Sequence, residues 1–181
     1  MRIEEEIKLD YSDVLFRPKR STLKSRKDVD LNRKYNFKYS KLSWKGTPII
    51  ASNMDGVGEI GIAKKLTSHK VMTALTKQHS INQISEIYKN SDFHKSVALS
   101  CGTSADSYKR LNKILQKFPK FEFICIDVAN GYSENFSHFV SNVRKKYPKK
   151  TIIAGNVVTA DMTQELILSG ADIVKVGIGP G

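Results

Sequence analysis

The stretch that decides the fold is "KTIIAGNVVTADMTQELILSGADIVKVGIG", residues 150–179. Its two ends, 150–158 and 171–179, are apolar runs without strict alternation, which is typical of strands buried on both faces. The segment between them, 160–169, has the pattern of a helix and is followed by Gly170, a common helix C-cap. A strand, a helix and a second strand in this order predict a parallel βαβ unit.

The same alternation extends towards the N-terminus, where four more strands are predicted at 47–53, 70–76, 96–102 and 121–128. Helices are predicted at about 59–69, 81–89, 104–118 and 133–147. An open doubly wound sheet and a (β/α)8 barrel both fit this alternation. The first strand is followed by "SNMDGVGEIG", which is not a dinucleotide fingerprint. We therefore predict an α/β fold, a TIM (β/α)8 barrel truncated after about six strands.

This reading divides the chain into an N-terminal arm or hairpin over residues 1–46 and an incomplete barrel over 47–181. The 181 residues, 40% hydrophobic and 27% charged, are typical of one globular domain. The charged start "MRIEEEIKLD" is not typical of a secretory signal, and no apolar run has the length of a membrane span. Cys101 and Cys125 are too few for a disulfide framework, which favours the reducing cytoplasm.

The net charge of +12 is concentrated near the N-terminus, where eleven Lys or Arg oppose two acids between residues 17 and 45. Such a patch attracts phosphates, either of nucleic acid or of a phosphorylated small molecule. A solvated surface accounts for most of these lysines. The aromatic residues in the patch have the spacing of a strand or hairpin: Tyr35, Phe37, Tyr39 and Trp44. We therefore expect no nucleic-acid partner, although a catalytically inactive nucleotide-binding or nucleic-acid-binding fragment stays an alternative.

Polar or glycine residues follow every predicted strand, and in parallel α/β folds these carboxyl ends form the site. They are Ser52 to Asp55, Lys77 and Gln78, Ser100 to Thr103, Asp127 with Asn130 and Gly131, Gly155 and Asn156, and Gly177, Gly179 and Gly181. The Asp127 carboxylate, directly after "FICI", needs partners and can accept hydrogen bonds from a ribose or an amide, or cap the next loop. The glycine loop can hold an anion by its N–H groups or a monovalent cation by its carbonyls.

The other reactive side chains give no clear site. Cys101 lies at a strand end, but nothing in the sequence places His69 or His79 beside it, so a nucleophilic role is not expected. Cys125 lies inside an apolar strand and is expected to be a buried small hydrophobe. The histidines have no metal-ligand spacing such as HxxxH.

Five motifs carry a family resemblance, and they run in order from one end of the chain to the other. They are "KLDYSDVLFRPKRSTLKSRKDVDL", "NMDGVG", "CIDVANGYSENF", "AGNVV" and "ELILSGADIVKVGIGPG". The sequence resembles the GMP reductase branch of the inosine monophosphate dehydrogenase/GMP reductase family, whose members are TIM barrels. The dehydrogenases usually insert a regulatory CBS module before the third strand, and residues 81–100 leave no room for one. A dehydrogenase-like oxidoreductase stays the alternative within the family.

The resemblance implies an NADPH-dependent reductive deamination of GMP to IMP with release of ammonia, a step of purine nucleotide interconversion. In the family a cysteine thiolate attacks the purine C2, ammonia leaves, and NADPH delivers a hydride to C2. That cysteine would lie beyond Gly181, so we expect the 181-residue chain alone to be inactive. The resemblance also implies a homotetramer.

The resemblance also implies residue roles. Ser25 and Arg26 would contact NADPH across a subunit interface, and Lys77 would lie near the nicotinamide and assist proton transfer. Other cofactor contacts would be Thr103, Asp127, Val128, Ala129, Ile178 and Gly179. The purine side would be Asn53, Met54 and Asn156. The carbonyls of Gly179 and Gly181 would bind a potassium ion.

The sequence departs from the family pattern at four positions near the predicted pocket: Gly56, Thr76, Gln78 and His79. The family often has His-Lys-His-Tyr where this chain has Thr76 to His79, and a threonine where it has Gly56. These differences put the local shape of the pocket and the turnover rate in question.

Overall fold

The computed structural model describes residues 7, 9, 11–89 and 93–178, and the chain forms two compact units, residues 1–30 and 31–181. Over its described residues, the first unit contains two short 3₁₀ turns, Tyr11–Asp13 and Arg26–Asp28. Ser25 caps the second turn, because its hydroxyl accepts a hydrogen bond from the Lys27 N–H at 3.2 Å. The Asp28 carboxylate accepts from the Ser25 N–H at 3.0 Å and completes a capping box.

The second unit alternates strands and helices after an N-terminal hairpin. Its strands are β1 Arg33–Asn36, β2 Ser43–Gly46, β3 Ile50–Ala51, β4 Met72–Leu75, β5 Val97–Cys101, β6 Phe123–Asp127, β7 Thr151–Val157 and β8 Ile173–Val176. Its helices are α1 Ile60–Ser68, α2 Ile81–Tyr88, α3 Ala105–Lys117, α4 Glu134–Lys146 and α5 Ala160–Leu168, with a 3₁₀ turn at Phe93–Lys95. Each predicted strand and helix of the barrel portion is confirmed, with shorter bounds than the apolar runs.

The strands of the main sheet run parallel in the order β3-β4-β5-β6-β7-β8. A doubly wound sheet would reverse this order at a switch point, and a barrel would not. The order therefore confirms the predicted six-stranded portion of a (β/α) barrel. Among the described residues, β3 and β8 are each paired on one side only.

The helices cover the outer face of the sheet. In α3 the spacing of Leu111, Ile114 and Leu115 places all three on one buried stripe. Ser104 begins this helix, because its hydroxyl accepts from the Ser107 N–H at 3.3 Å. Against the helices pack the strand residues that point outwards, such as Ile124.

The inner face of the sheet packs against the hairpin. Strand residues that alternate with the outward ones, such as Phe123 and Cys125, form a second cluster with Phe37 and Trp44 of the hairpin. Phe37 and Phe123 meet edge to face, with ring centroids 5.7 Å apart. The hairpin thus closes the end of the barrel interior where the strands begin.

Asp172, directly before β8, fixes the hairpin turn to the sheet. Its side chain has no exposed surface, and its Oδ1 accepts hydrogen bonds from the N–H groups of Tyr39 at 2.8 Å and Ser40 at 3.4 Å. Its Oδ2 accepts from Arg144 at 2.6 Å and from the Ile152 N–H at 3.2 Å. One buried carboxylate therefore joins the hairpin, α4, β7 and β8.

None of the helices over the described residues is long and apolar enough to cross a lipid bilayer.

Candidate active site

The polar residues at the carboxyl ends of β6, β7 and β8 share one row of the inner face. Asp127 is in register with Gly155, and Gly155 is in register with Lys175. A Cβ atom on Gly155 would lie 2.6 Å from the Cβ of Lys175, so only glycine allows this approach. Because Gly155 has no side chain, Lys175 reaches across β7 to Asp127.

The Lys175 ammonium forms an ion pair with the Asp127 carboxylate and donates to the Asn53 side-chain oxygen at 3.2 Å. The side chains of Lys175 and Asp127 are 27% and 24% exposed, so solvent screens the pair only partly. Burial raises the pKa of the Asp127 carboxyl, but hydrogen bonds from Lys175 and Asn53 and the charges of Lys175 and Lys77 outweigh it. The pKa is lowered overall, and Asp127 is ionised at neutral pH.

Lys77 reaches the same place from the loop after β4. Its Nζ lies 3.5 Å from the backbone carbonyl of Asp127, and a Cβ on Gly102 would lie 3.4 Å from this Nζ. Among the described residues no carboxylate lies within ion-pair distance of Lys77, whose side chain is exposed. Thr103 follows Gly102 and is also exposed. Lys77, Asp127 and Asn53 are thus brought together, as the sequence predicted for strand ends.

The loops after β6 and β7 are tied to each other by their backbones. The Val128 N–H donates to the Gly155 carbonyl at 2.9 Å, and the Asn156 N–H donates to the Val128 carbonyl at 3.0 Å. The Asn156 side-chain nitrogen donates to the Gly177 carbonyl at 3.0 Å, which links this loop to the end of β8. The Asn156 Oδ1 is buried and has no hydrogen-bond partner among the described residues. Ala129 is exposed beside these contacts.

The remaining predicted site residues are exposed or lie outside the described residues. Met54 is 63% exposed and Ile178 is 47% exposed. Gly179 and Gly181 lie outside the described residues, so the potassium site stays a prediction. Ser25 and Arg26 belong to the first unit, where the guanidinium of Arg26 is exposed and has no partner among the described residues.

Sequence reasoning missed Lys175, whose ion pair with Asp127 lies at the centre of the candidate site. The signal was present in "ADIVKVGIG", because burying the lysine of an apolar strand is costly unless its ammonium group is paired with an acceptor. In this strand Ile173 packs against the cluster that the inner face of the sheet forms with the hairpin. Lys175, two residues later, lies on the same face.

The four departures from the family pattern lie in the loops after β3 and β4. His79 is buried, with its Nε2 3.1 Å from the Gly58 carbonyl and 3.6 Å from a Glu59 carboxylate oxygen. Thr76 is also buried, whereas Gln78 is exposed. Gly56 has a φ of 75°, in the left-handed region that favours glycine. Two of the departures therefore shape the packing between these loops.

The two cysteines are buried and free. Burial raises the pKa of Cys101 to about 12, with the nearby Cys125 adding to the rise and Lys77 opposing it. Burial likewise raises the pKa of Cys125 to about 11. Because the thiolate is the nucleophile, these raised pKa values disfavour reaction of either side chain at neutral pH. The expectation that neither acts as a catalytic nucleophile is consistent with this burial.

We predict that neither thiol of the native chain reacts measurably with Ellman's reagent at pH 8, because both pKa values lie far above that pH. In guanidinium chloride both thiols should react at once. The measurement is the absorbance of the released thiolate before and after unfolding. Rapid reaction of one thiol in the native chain would show that its strand opens to solvent.

Comparisons with known proteins identify the family. The sequence model described as IMP dehydrogenase / GMP reductase domain matches residues 8–181. The chain belongs to the IMP dehydrogenase/GMP reductase family. Proteins named GMP reductase from Shigella boydii serotype 4 (strain Sb227) and Escherichia coli (strain K12 / DH10B) are each 55% identical to it over 183 residues. These alignments cover 100% of this chain and 53% of each relative.

A solved structure of the IMP dehydrogenase/GMP reductase family agrees with the fold. The crystal structure of inosine 5′-monophosphate dehydrogenase from Legionella pneumophila matches with a TM-score of 0.74 and 28% identity, over 94% of this chain and 50% of that one. The chain spans about half the length of the curated relatives it matches. Over its described residues, no group of three or more His, Cys, Asp or Glu side chains could hold a metal ion.

Proposed function

We propose that this chain forms the cofactor-binding portion of a GMP reductase, which converts GMP to IMP and ammonia with NADPH. The observation that carries the proposal is the 55% identity to proteins named GMP reductase over the whole chain. Identity to the inosine 5′-monophosphate dehydrogenase structure is 28%, which favours the reductase over the dehydrogenase. The polar residues at the carboxyl ends of the strands, Asn53, Lys77 and Asp127, are consistent with this choice.

The described residues fit a nicotinamide nucleotide. The ionised Asp127 carboxylate is half-buried at the strand ends, where it can accept hydrogen bonds from ribose hydroxyls. The exposed Thr103 hydroxyl and the backbone of Val128 and Ala129 lie on loops at the same end of the sheet. When bound, NADPH would supply the hydride for the reaction. Lys77 would hold a proton at its Nζ for the departing ammonia.

The first unit would contribute to the phosphate end of the cofactor. The capped turn places Ser25 and Arg26 next to each other with the Arg26 side chain free to bind. A guanidinium suits the 2′-phosphate that distinguishes NADPH from NADH, because it can donate two parallel hydrogen bonds. We propose that this turn serves a neighbouring subunit of a cytoplasmic homotetramer.

The substrate side would use residues of the loops after β3 and β7. Asn53 and Met54 would border the purine, together with Asn156, whose buried Oδ1 has no partner among the described residues and can accept a hydrogen bond. We further propose that the nucleophilic cysteine and the groups that bind the GMP phosphate belong to sequence beyond Gly181. Carbonyls of Gly179 and Gly181 would bind the potassium ion.

A chimera tests the proposed function. Residues 1–181 are joined to the part of the Escherichia coli relative that follows its aligned region, and NADPH oxidation is followed by absorbance with and without GMP. We expect oxidation that depends on GMP and yields ammonia. The 181-residue chain alone should show none.

Three results would contradict this proposal. A chimera that folds, judged by circular dichroism and size-exclusion chromatography, but oxidises no NADPH would reject the reductase assignment. Reduction of NAD by the chimera with IMP in place of GMP would favour the dehydrogenase. Turnover of GMP by residues 1–181 alone would show that the nucleophile lies within them.

A further inference from the structure

Two lysines lie beside Asp127 at the barrel mouth, the end of the sheet where the strands have their carboxyl ends. They contact different atoms of this aspartate. Lys175 pairs with the Asp127 carboxylate, whereas Lys77 lies 3.5 Å from the backbone carbonyl of the same residue. Asn53 lies beside the pair: its side-chain oxygen accepts a hydrogen bond from Lys175 at 3.2 Å, and its side chain helps to lower the pKa of Asp127. The groups that face the Asp127 carboxylate are thus Lys175, Lys77 and Asn53, with Cys125 two residues earlier on the same strand face.

The backbone fixes this arrangement. Lys175 lies on β8, in register with Gly155 of β7, which is in register with Asp127 of β6. A side chain at residue 155 would collide with the Cβ and the carbonyl of Lys175, each at 2.6 Å. The ammonium can therefore approach Asp127 only along this row, from the side opposite to β5. That approach leaves Lys77, on the loop after β4, without a carboxylate partner among the described residues.

We propose that Lys175 is a positioning residue of the reductase site: it orients the Asp127 carboxylate as the acceptor for cofactor hydroxyl groups and keeps it from pairing with Lys77. The inference rests on the proposed function for the identity of the ligand. The pairing itself rests only on the contacts and the strand register. Lys175 acts through Asp127 and need not touch the cofactor.

The pairing has a pH signature. The pKa of Asp127 is lowered, so the ion pair is intact above the ordinary carboxyl pKa and is lost as the pH falls through the lowered value. In Lys175→Met the burial remains, while the hydrogen bond and the charge of Lys175 disappear. The pKa of Asp127 should then rise, and the carboxylate should be lost at a higher pH.

The first experiment uses the 181-residue chain and needs no activity. Aspartate labelled with ¹³C at Cγ is titrated by NMR in the wild type, in Lys175→Met and in the control Lys113→Met, whose lysine is exposed on α3. The Asp127 signal is assigned by its absence in Asp127→Asn. We expect its midpoint to rise in Lys175→Met and to stay unchanged in Lys113→Met. An unchanged midpoint in Lys175→Met would overturn the pairing.

The second experiment measures kinetics in the chimera. Loss of a charge-assisted contact predicts that Lys175→Met raises KM for NADPH by about tenfold to a hundredfold, with a smaller fall in kcat. The acidic limb of kcat/KM should move to higher pH, and Lys175→Arg should restore most of the loss. Unchanged KM and pH profile in an active chimera would overturn the positioning role. An inactive wild-type chimera would instead reject the proposed function, and the NMR titration would still decide the pairing.

Discussion

Replacement of Lys77 by methionine is expected to lower kcat of the chimera by about a hundredfold to ten-thousandfold, the usual range for loss of a general acid–base group. The reason lies in the position of its amine. Lys77 Nζ is at the barrel mouth, 3.5 Å from the Asp127 carbonyl, and its charge is not neutralised by a carboxylate among the described residues. The measurement is GMP-dependent NADPH oxidation at saturating concentrations of both substrates.

Lys77→Arg separates proton transfer from charge. Arginine keeps the positive charge but does not release a proton in a protein, so kcat should stay low while KM for NADPH changes little. The control Lys113→Met removes a lysine of α3 that is also exposed and should leave both constants unchanged. A chimera with Lys77→Arg that turns over at the wild-type rate would show that Lys77 contributes charge alone.

The fold was accessible from sequence because each strand of the barrel is an apolar run and each helix carries an apolar stripe. The predicted run 121–128, for example, contains β6 at Phe123–Asp127. The run 47–53 yields only the two residues Ile50–Ala51, because β3 lies at the edge of the described sheet and pairs with β4 alone. Apolar character indicates burial, whereas strand length depends on the neighbouring strands.

The candidate site could be predicted from the sequence only in part. The convergence of Lys77, Asp127 and Asn53 follows from topology, since the carboxyl ends of parallel strands lie at one end of a barrel. The partner of Asp127 does not follow from topology, because it depends on the register of three strands and on the absence of a side chain at Gly155. Register is a tertiary property, and periodicity alone does not determine it.

The hairpin is a second case in which tertiary contacts could not be predicted from the sequence. The aromatic spacing predicted a strand or hairpin, and β1 and β2 form one with Tyr35 opposite Trp44. The sequence did not show that a buried carboxylate more than 120 residues later would hold its turn, as Asp172 does through the N–H groups of Tyr39 and Ser40. Such a long-range contact leaves no local pattern.

Asp172→Asn is expected to destabilise the chain by about 3–5 kcal/mol, as is usual when one partner of a buried ion pair is lost. The Asp172 Oδ2 accepts hydrogen bonds from Arg144 at 2.6 Å and from the Ile152 N–H at 3.2 Å. In Asp172→Asn an amide nitrogen at that position would itself be a hydrogen-bond donor, and it would face the two donor groups of Arg144 and Ile152 without an acceptor. If the amide turned over, the same conflict would arise with the N–H groups of Tyr39 and Ser40. The measurement is urea unfolding at neutral pH, followed by circular dichroism.

The matched control is Glu134→Gln, which makes the same chemical change in an exposed pair. Glu134 lies 3.7 Å from His138 one turn along α4, and both side chains are largely exposed. Solvent screens that pair, so the free energy of unfolding should barely change. Because Arg144 also donates to the carbonyls of Gly170 and Lys150, at 2.9 and 2.8 Å, it stays in place in Asp172→Asn with its charge uncompensated. Equal stability of the two variants would mean that these carbonyls alone hold the guanidinium, and that Asp172 does not fix the hairpin to the sheet.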